Sequence, residues 1–115
     1  MEIYEPLTKY LHTQTPDEIY RFTNDIYTFI DSHPEYKLNQ YKDILEANGI
    51  HWDKESMQKA DITALNERCV LALILGVVRA ERFCEGTLLY FFENGIIEKW
   101  LLRLKSIDTN KESLD

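Results

Sequence analysis

The chain has 115 residues and a formal charge of −7, with 44% hydrophobic and 29% charged residues. That length and balance give one globular domain able to bury its own core, and exclude a disordered composition. The acidic surplus speaks against nucleic acid or an anionic membrane as partner, since either requires clustered Lys and Arg.

The acidity is concentrated in the first third. Through Glu35 there are seven acids against Lys9 and Arg21, while the remainder carries a balance of only −2. The opening Met-Glu-Ile-Tyr-Glu-Pro has neither a basic stretch nor an apolar run, so it does not read as a secretory signal, and a cytoplasmic location is expected. Six of the seven tyrosines (Tyr4, Tyr10, Tyr20, Tyr27, Tyr36, Tyr41) lie in or just after this acidic part. A Tyr-rich acidic face suits a protein partner, although filling the space between helices is the favoured fate of most of these rings.

Every longer pattern is helical. Thr15-Pro-Asp-Glu18 opens a helix with Thr as N-cap, Pro at the first position and acids in the first turn. Ile19, Phe22, Ile26, Phe29 and Ile30 then recur at helical spacing until His33-Pro34 ends the run. A second helix over about 38–48 places Tyr41, Ile44 and Leu45 on one face, with Gly49 as the left-handed stop and Ile50 folding back as in a Schellman cap. The stretch 51–59 is the least regular and carries Trp52, the one tryptophan that reads as exposed.

Asp61 or Thr63 is expected to cap a central helix running to about Phe83 or beyond. Its residues 69–78 carry no charge, too short a run for a bilayer, which needs roughly 20 residues, but fitting for a helix buried on nearly every side. Gly76 within it weakens the helix unless another element approaches closely. Leu88, Leu89, Phe91 and Phe92 form a short helix stopped by Asn94-Gly95. The last helix shows a wide apolar stripe of Ile96, Ile97, Trp100, Leu101, Leu104 and Ile107, broad enough to serve a homodimer as well as a core. The prediction is an all-α fold, a bundle of five or six helices around the buried central one, as a single domain over 1–108 with a disordered tail over 109–115.

The chemistry-bearing segment follows the apolar run directly. Arg79, Glu81, Arg82 and Glu85 put four charges into seven positions. On a continuing helix Arg79 and Arg82 share the side that prolongs the core stripe, Glu81 and Glu85 share the other, and Arg82 can pair with Glu85. Two accounts are open: a closed ion-paired clamp, which is favoured, and a ligand pocket in which the arginines hold an anion or carboxylate with Glu81 and Glu85 beside them. Acid–base catalysis by Glu81 or Glu85 is the remote third, because nothing fixes a nucleophile or substrate.

Other sites are weaker. Cys69 and Cys84 would stand about 22 Å apart on one helix, beyond disulfide reach, and read as reduced thiols. His12, His33 and His51 are isolated, with no Cys-x-x-Cys, so neither a metal nor another cofactor is expected. No glycine-rich phosphate loop occurs.

With these residues laid out, the chain resembles a family of small bacterial proteins known as a domain of unknown function. The likeness rests on Leu71-Ala-Leu-Ile74 with Gly76, Arg79-Ala-Glu-Arg-Phe83, Gly86, and the ending Gly95…Lys99-Trp-Leu…Arg103-Leu…Ile107-Asp108. Upstream, Asp25-Ile-Tyr-Thr-Phe29 and His33-Pro-Glu-Tyr36 extend it. The resemblance implies a small bacterial cytoplasmic domain and brings no activity with it. The first functional expectation is therefore a non-catalytic protein-interaction or regulatory module. The alternative is a binder of an anionic ligand or nucleotide, or an enzyme, at Arg79, Glu81 and Arg82, including a phage or mobile-element accessory protein.

Overall fold

A computed structural model describes residues 3–11 and 15–113; within 110–113 only the backbone is described. Seven α-helices occur among them: α1 (Glu5–Thr8), α2 (Pro16–Ser32), α3 (Tyr41–Ala47), α4 (Lys54–Lys59), α5 (Glu67–Ala80), α6 (Thr87–Glu93) and α7 (Ile96–Ser113), with three 3-10 turns and no strand. The fold is all-α, as the sequence patterns require. The short α1 and α4 are the helices that the sequence patterns did not mark.

Local signals decide most boundaries. The Thr15 hydroxyl accepts from the Glu18 N–H and donates to its Oε1 at 2.8 Å, a side-chain N-cap in front of Pro16. At the end of α3, Ile50 N–H reaches Leu45 O at 2.9 Å and Gly49 N–H reaches Glu46 O at 3.0 Å, with Gly49 at φ 75°. Those two bonds make the Schellman cap, and Ile50 is buried over it.

The start of α5 differs from expectation. Asp61 caps only a 3-10 turn (Ile62–Ala64), accepting from the Thr63 N–H and hydroxyl. Leu65 is then extended, at φ −97° and ψ 143°, so the helix restarts with Asn66 as N-cap, its Oδ1 accepting from Cys69 N–H at 3.0 Å. At the other end of the chain, the tail expected over 109–115 is helical as far as Ser113; residues 114 and 115 lie outside the described ones.

Residues 69–78 of α5 are all buried, and one apolar cluster joins them to side chains of the other six helices. All six residues of the α7 stripe are buried inside this single chain, so the face broad enough for a dimer is taken up by the core. The chain ends are tied together by Asp108, itself 2% exposed, whose carboxylate accepts from Ile3 N–H at 3.1 Å and Tyr4 N–H at 2.9 Å. Among the described residues, no helix is long and apolar enough to cross a membrane.

Candidate functional site

Helix α5 stops at Ala80, not near Phe83, and that decides what the charged cluster becomes. Residues 81–86 form the turn into α6, with Gly86 at φ 95°, a conformation that glycine adopts without a Cβ clash. The Glu81 carboxylate accepts from Gly86 N–H at 3.1 Å and from Leu88 N–H at 2.9 Å. It therefore caps α6, meeting donors that the first turn of a helix cannot satisfy internally. A continuing helix would have carried Glu81 away from those donors. The intrahelical pair expected between Arg82 and Glu85 is consequently absent; Glu85 is exposed, and neither it nor Glu81 lines either cavity described below.

Arg79 and Arg82 are brought together. Both line a cavity of about 400 Å³ between α3, the loop before α4 and the end of α5. Helix α3 packs along α5 through the buried side chains of Tyr41, Ile44 and Leu45, and this packing delivers Lys42 and Asp43 to the same cavity. The amide side chains of Asn39 and Gln40 complete its rim. Three cations thus stand around one space with a single carboxylate, Asp43, in a chain whose net charge is −7. Among the described residues none of Lys42, Arg79 and Arg82 has a carboxylate within ion-pair distance. The closed clamp favoured from sequence is not what the geometry builds.

Arg79 is the half-buried member. Its guanidinium lies 5.8 Å from the Tyr27 ring centre, and its Nε is buried with no hydrogen-bond partner. A buried donor left unmade is costly, and such an atom in a native structure asks for a cause. Lys42 Nζ lies 4.2 Å from the Trp52 ring centre, while Arg82 is exposed at the mouth.

An aromatic row backs the cations. Tyr41 meets Trp52 edge-on at 5.8 Å, and Trp52 meets Phe83 edge-on at 6.1 Å. Burial raises the Tyr41 hydroxyl above its ordinary range, opposed by the positive charge of Arg79. Trp52 is fixed by a 2.9 Å hydrogen bond from its Nε1 to Gly76 O. It is half-buried, less open than the sequence suggested, whereas Phe83 is 81% exposed.

Sequence reasoning identified Arg79 and Arg82 but not Lys42, Asp43 or the two amides. Those lie about 40 positions earlier, and no local pattern links them to α5. Trp52 stood out only as an exposed aromatic, with nothing to show that it would join the arginines.

The other candidates fall elsewhere. Cys69 is buried, and desolvation pushes its thiol up to about 11; Cys84 is exposed. His33 bonds Glu35 at 3.2 Å and packs on Phe29, His51 is exposed, and His12 lies outside the described residues. No group of three or more His, Cys, Asp or Glu among the described residues could hold a metal ion. Of the acidic part's tyrosines, Tyr4, Tyr10 and Tyr41 are buried, Tyr27 and Tyr36 half-buried, and only Tyr20 stands out at 72% exposure.

Neither a curated protein nor a solved structure matches the chain. A family model does, over residues 41–110, a span that contains every wall of the cationic cavity except Asn39 and Gln40. The chain belongs to that family, DUF6508, a family of unknown function.

Proposed function

We propose that the chain is a small non-catalytic binding module of a bacterial cytoplasm that takes up an anionic group in the cavity at Lys42, Arg79 and Arg82. The observation that carries this reading is the gathering of three cations around an open space with no ion-paired carboxylate among the described residues. The cavity volume of about 400 Å³ falls within the range of roughly 300–1,000 Å³ typical of small-ligand sites. Binding is favoured over turnover because no hydrogen-bonded nucleophile and base line the cavity among the described residues, and Glu81 is engaged with α6. A regulatory or accessory role, including one in a mobile element, fits a module that answers to a small anion.

A protein partner on the acidic first third has less support. Its tyrosines are turned inward apart from Tyr20, and Asp25 is engaged by Lys9 and Tyr10. The test is a titration with inorganic phosphate followed by amide shifts in two-dimensional NMR. Shifts concentrated at 39–43, 52 and 79–83, and weakened in Arg82→Gln, are expected. Shifts scattered over the surface, or none, would refute the reading.

A further inference from the structure

We infer that the cationic cavity is one compartment of a two-part site for an amphipathic carboxylate, whose anionic head lies at Arg79 and Arg82 and whose apolar body lies beyond Trp52 and Phe83. This rests on the anion-binding reading above and adds the class of ligand to it.

A second cavity, of about 320 Å³, adjoins the first, and Trp52 and Phe83 line both. Its walls are nearly all apolar, formed by Met57, Ala80 and Cys84 together with the two shared rings. Its polar neighbours are occupied elsewhere. The Asp53 carboxylate accepts from Ser56 N–H at 2.7 Å as the cap of α4, the Thr87 hydroxyl donates to Cys84 O at 2.7 Å, and Lys54 Nζ sits 3.5 Å from the Tyr90 ring centre. The compartment thus offers apolar contact and little else.

Trp52, common to both cavities, and Met57, a wall of the second, sit close against α5. A Cβ on Gly76 would come within 3.3 Å of both Met57 Sδ and Trp52 Cδ1. Glycine, which weakens a helix interior, is thus what lets these two side chains seat against α5. Phe83, at the junction, keeps a large apolar ring in water at 81% exposure. A ligand passing between the compartments would cover that ring and recover its hydrophobic contact. The planar fork of arginine suits a carboxylate head.

A calorimetric titration with 4-phenylbutyrate, acetate and 4-phenylbutan-1-ol separates the two claims. Each buried methylene adds roughly fourfold in affinity, so 4-phenylbutyrate is expected to bind at least about tenfold tighter than acetate. It should also exceed the uncharged alcohol by about tenfold, the scale of one charge-assisted contact. Phe83→Ala, at an exposed position, should shrink the advantage over acetate to about threefold or less. If 4-phenylbutyrate binds no tighter than acetate, the two-part site is wrong while the anion site stands. If the alcohol binds as well as the acid, or if nothing binds, both readings fall.

Discussion

The Trp52 indole donates a 2.9 Å hydrogen bond to the carbonyl of Gly76, in the middle of the buried helix. This one contact joins an irregular loop to the apolar core and holds the aromatic wall of both cavities in place. The missing side chain of Gly76 leaves room for it, since a Cβ there would stand 3.3 Å from Trp52 Cδ1. Gly76→Val should push Trp52 and Met57 away from α5 and cost about 1–3 kcal/mol, the usual penalty for overpacking. Urea unfolding followed by Trp fluorescence measures both the loss and the displaced indole. A stable variant with an unchanged emission spectrum would show that the close approach is not constraining.

Glu81 and its neighbour Arg82 should separate cleanly. Removing the cap with Glu81→Ala leaves Gly86 and Leu88 N–H without their acceptor and should cost about 1 kcal/mol. Phosphate affinity should stay within about twofold, because the carboxylate points at α6 and not into the cavity. A large affinity change with intact stability would instead return Glu81 to the binding site.

Asp108 closes the fold at its two ends. In Asp108→Ala the Tyr4 N–H, which bonds the buried carboxylate, loses an acceptor that solvent cannot easily replace. The cost should be about 2 kcal/mol or more, with faster hydrogen exchange at the amide of Tyr4. Unaltered exchange there would mean that the Asp108 carboxylate is not what holds this segment.

The pH response has two limbs. The Tyr10 hydroxyl, at 2.6 Å, and the Lys9 ammonium, at 3.2 Å, hold the Asp25 carboxyl below its usual range, with burial opposing them. A depressed carboxyl stabilises the fold above its unfolded pKa of about 3.9, and that stability is lost as pH falls through the lower folded value. Asp25→Asn should therefore flatten the acid limb of a stability–pH curve below about pH 4. Burial and the Asp25 bond push Tyr10 up to about 12. Its contribution is complete below about pH 10 and fades as pH rises toward the folded value, so Tyr10→Phe should flatten the alkaline limb. Unaltered limbs in the two variants would remove this triad from the pH account.

What was legible in the sequence was what is local. The N-cap at Thr15, the Schellman end at Gly49 and Ile50, the buried run of α5 and the stripe of α7 are all written in spacings of a few residues. Two local readings still missed. Asp61 caps a 3-10 turn and not α5, because the extended Leu65 interrupts the pattern and lets Asn66 take over. Helix α5 ends at Ala80, and the Glu81 side chain engages donors five and seven residues ahead of it, which helical periodicity alone cannot reveal. The cavity was half visible: Arg79 and Arg82 were marked by standing at the edge of an apolar run. Lys42, Asp43 and Trp52 join them only through the packing of α3 on α5 and the Trp52 anchor to Gly76, and pairings across that distance leave no trace in spacing.

The central claim is that Arg79 belongs to an open anion site and not to a closed clamp. Urea unfolding of wild type and Arg79→Met, with phosphate and with sodium chloride at matched ionic strength, tests it most directly. The variant should match or exceed wild-type stability in chloride, since it removes a buried unpartnered Nε and keeps an apolar stem. Phosphate should stabilise the wild type and leave the variant nearly unmoved. A loss of about 3–5 kcal/mol in chloride, the signature of a broken buried ion pair, together with equal phosphate responses, would contradict the account.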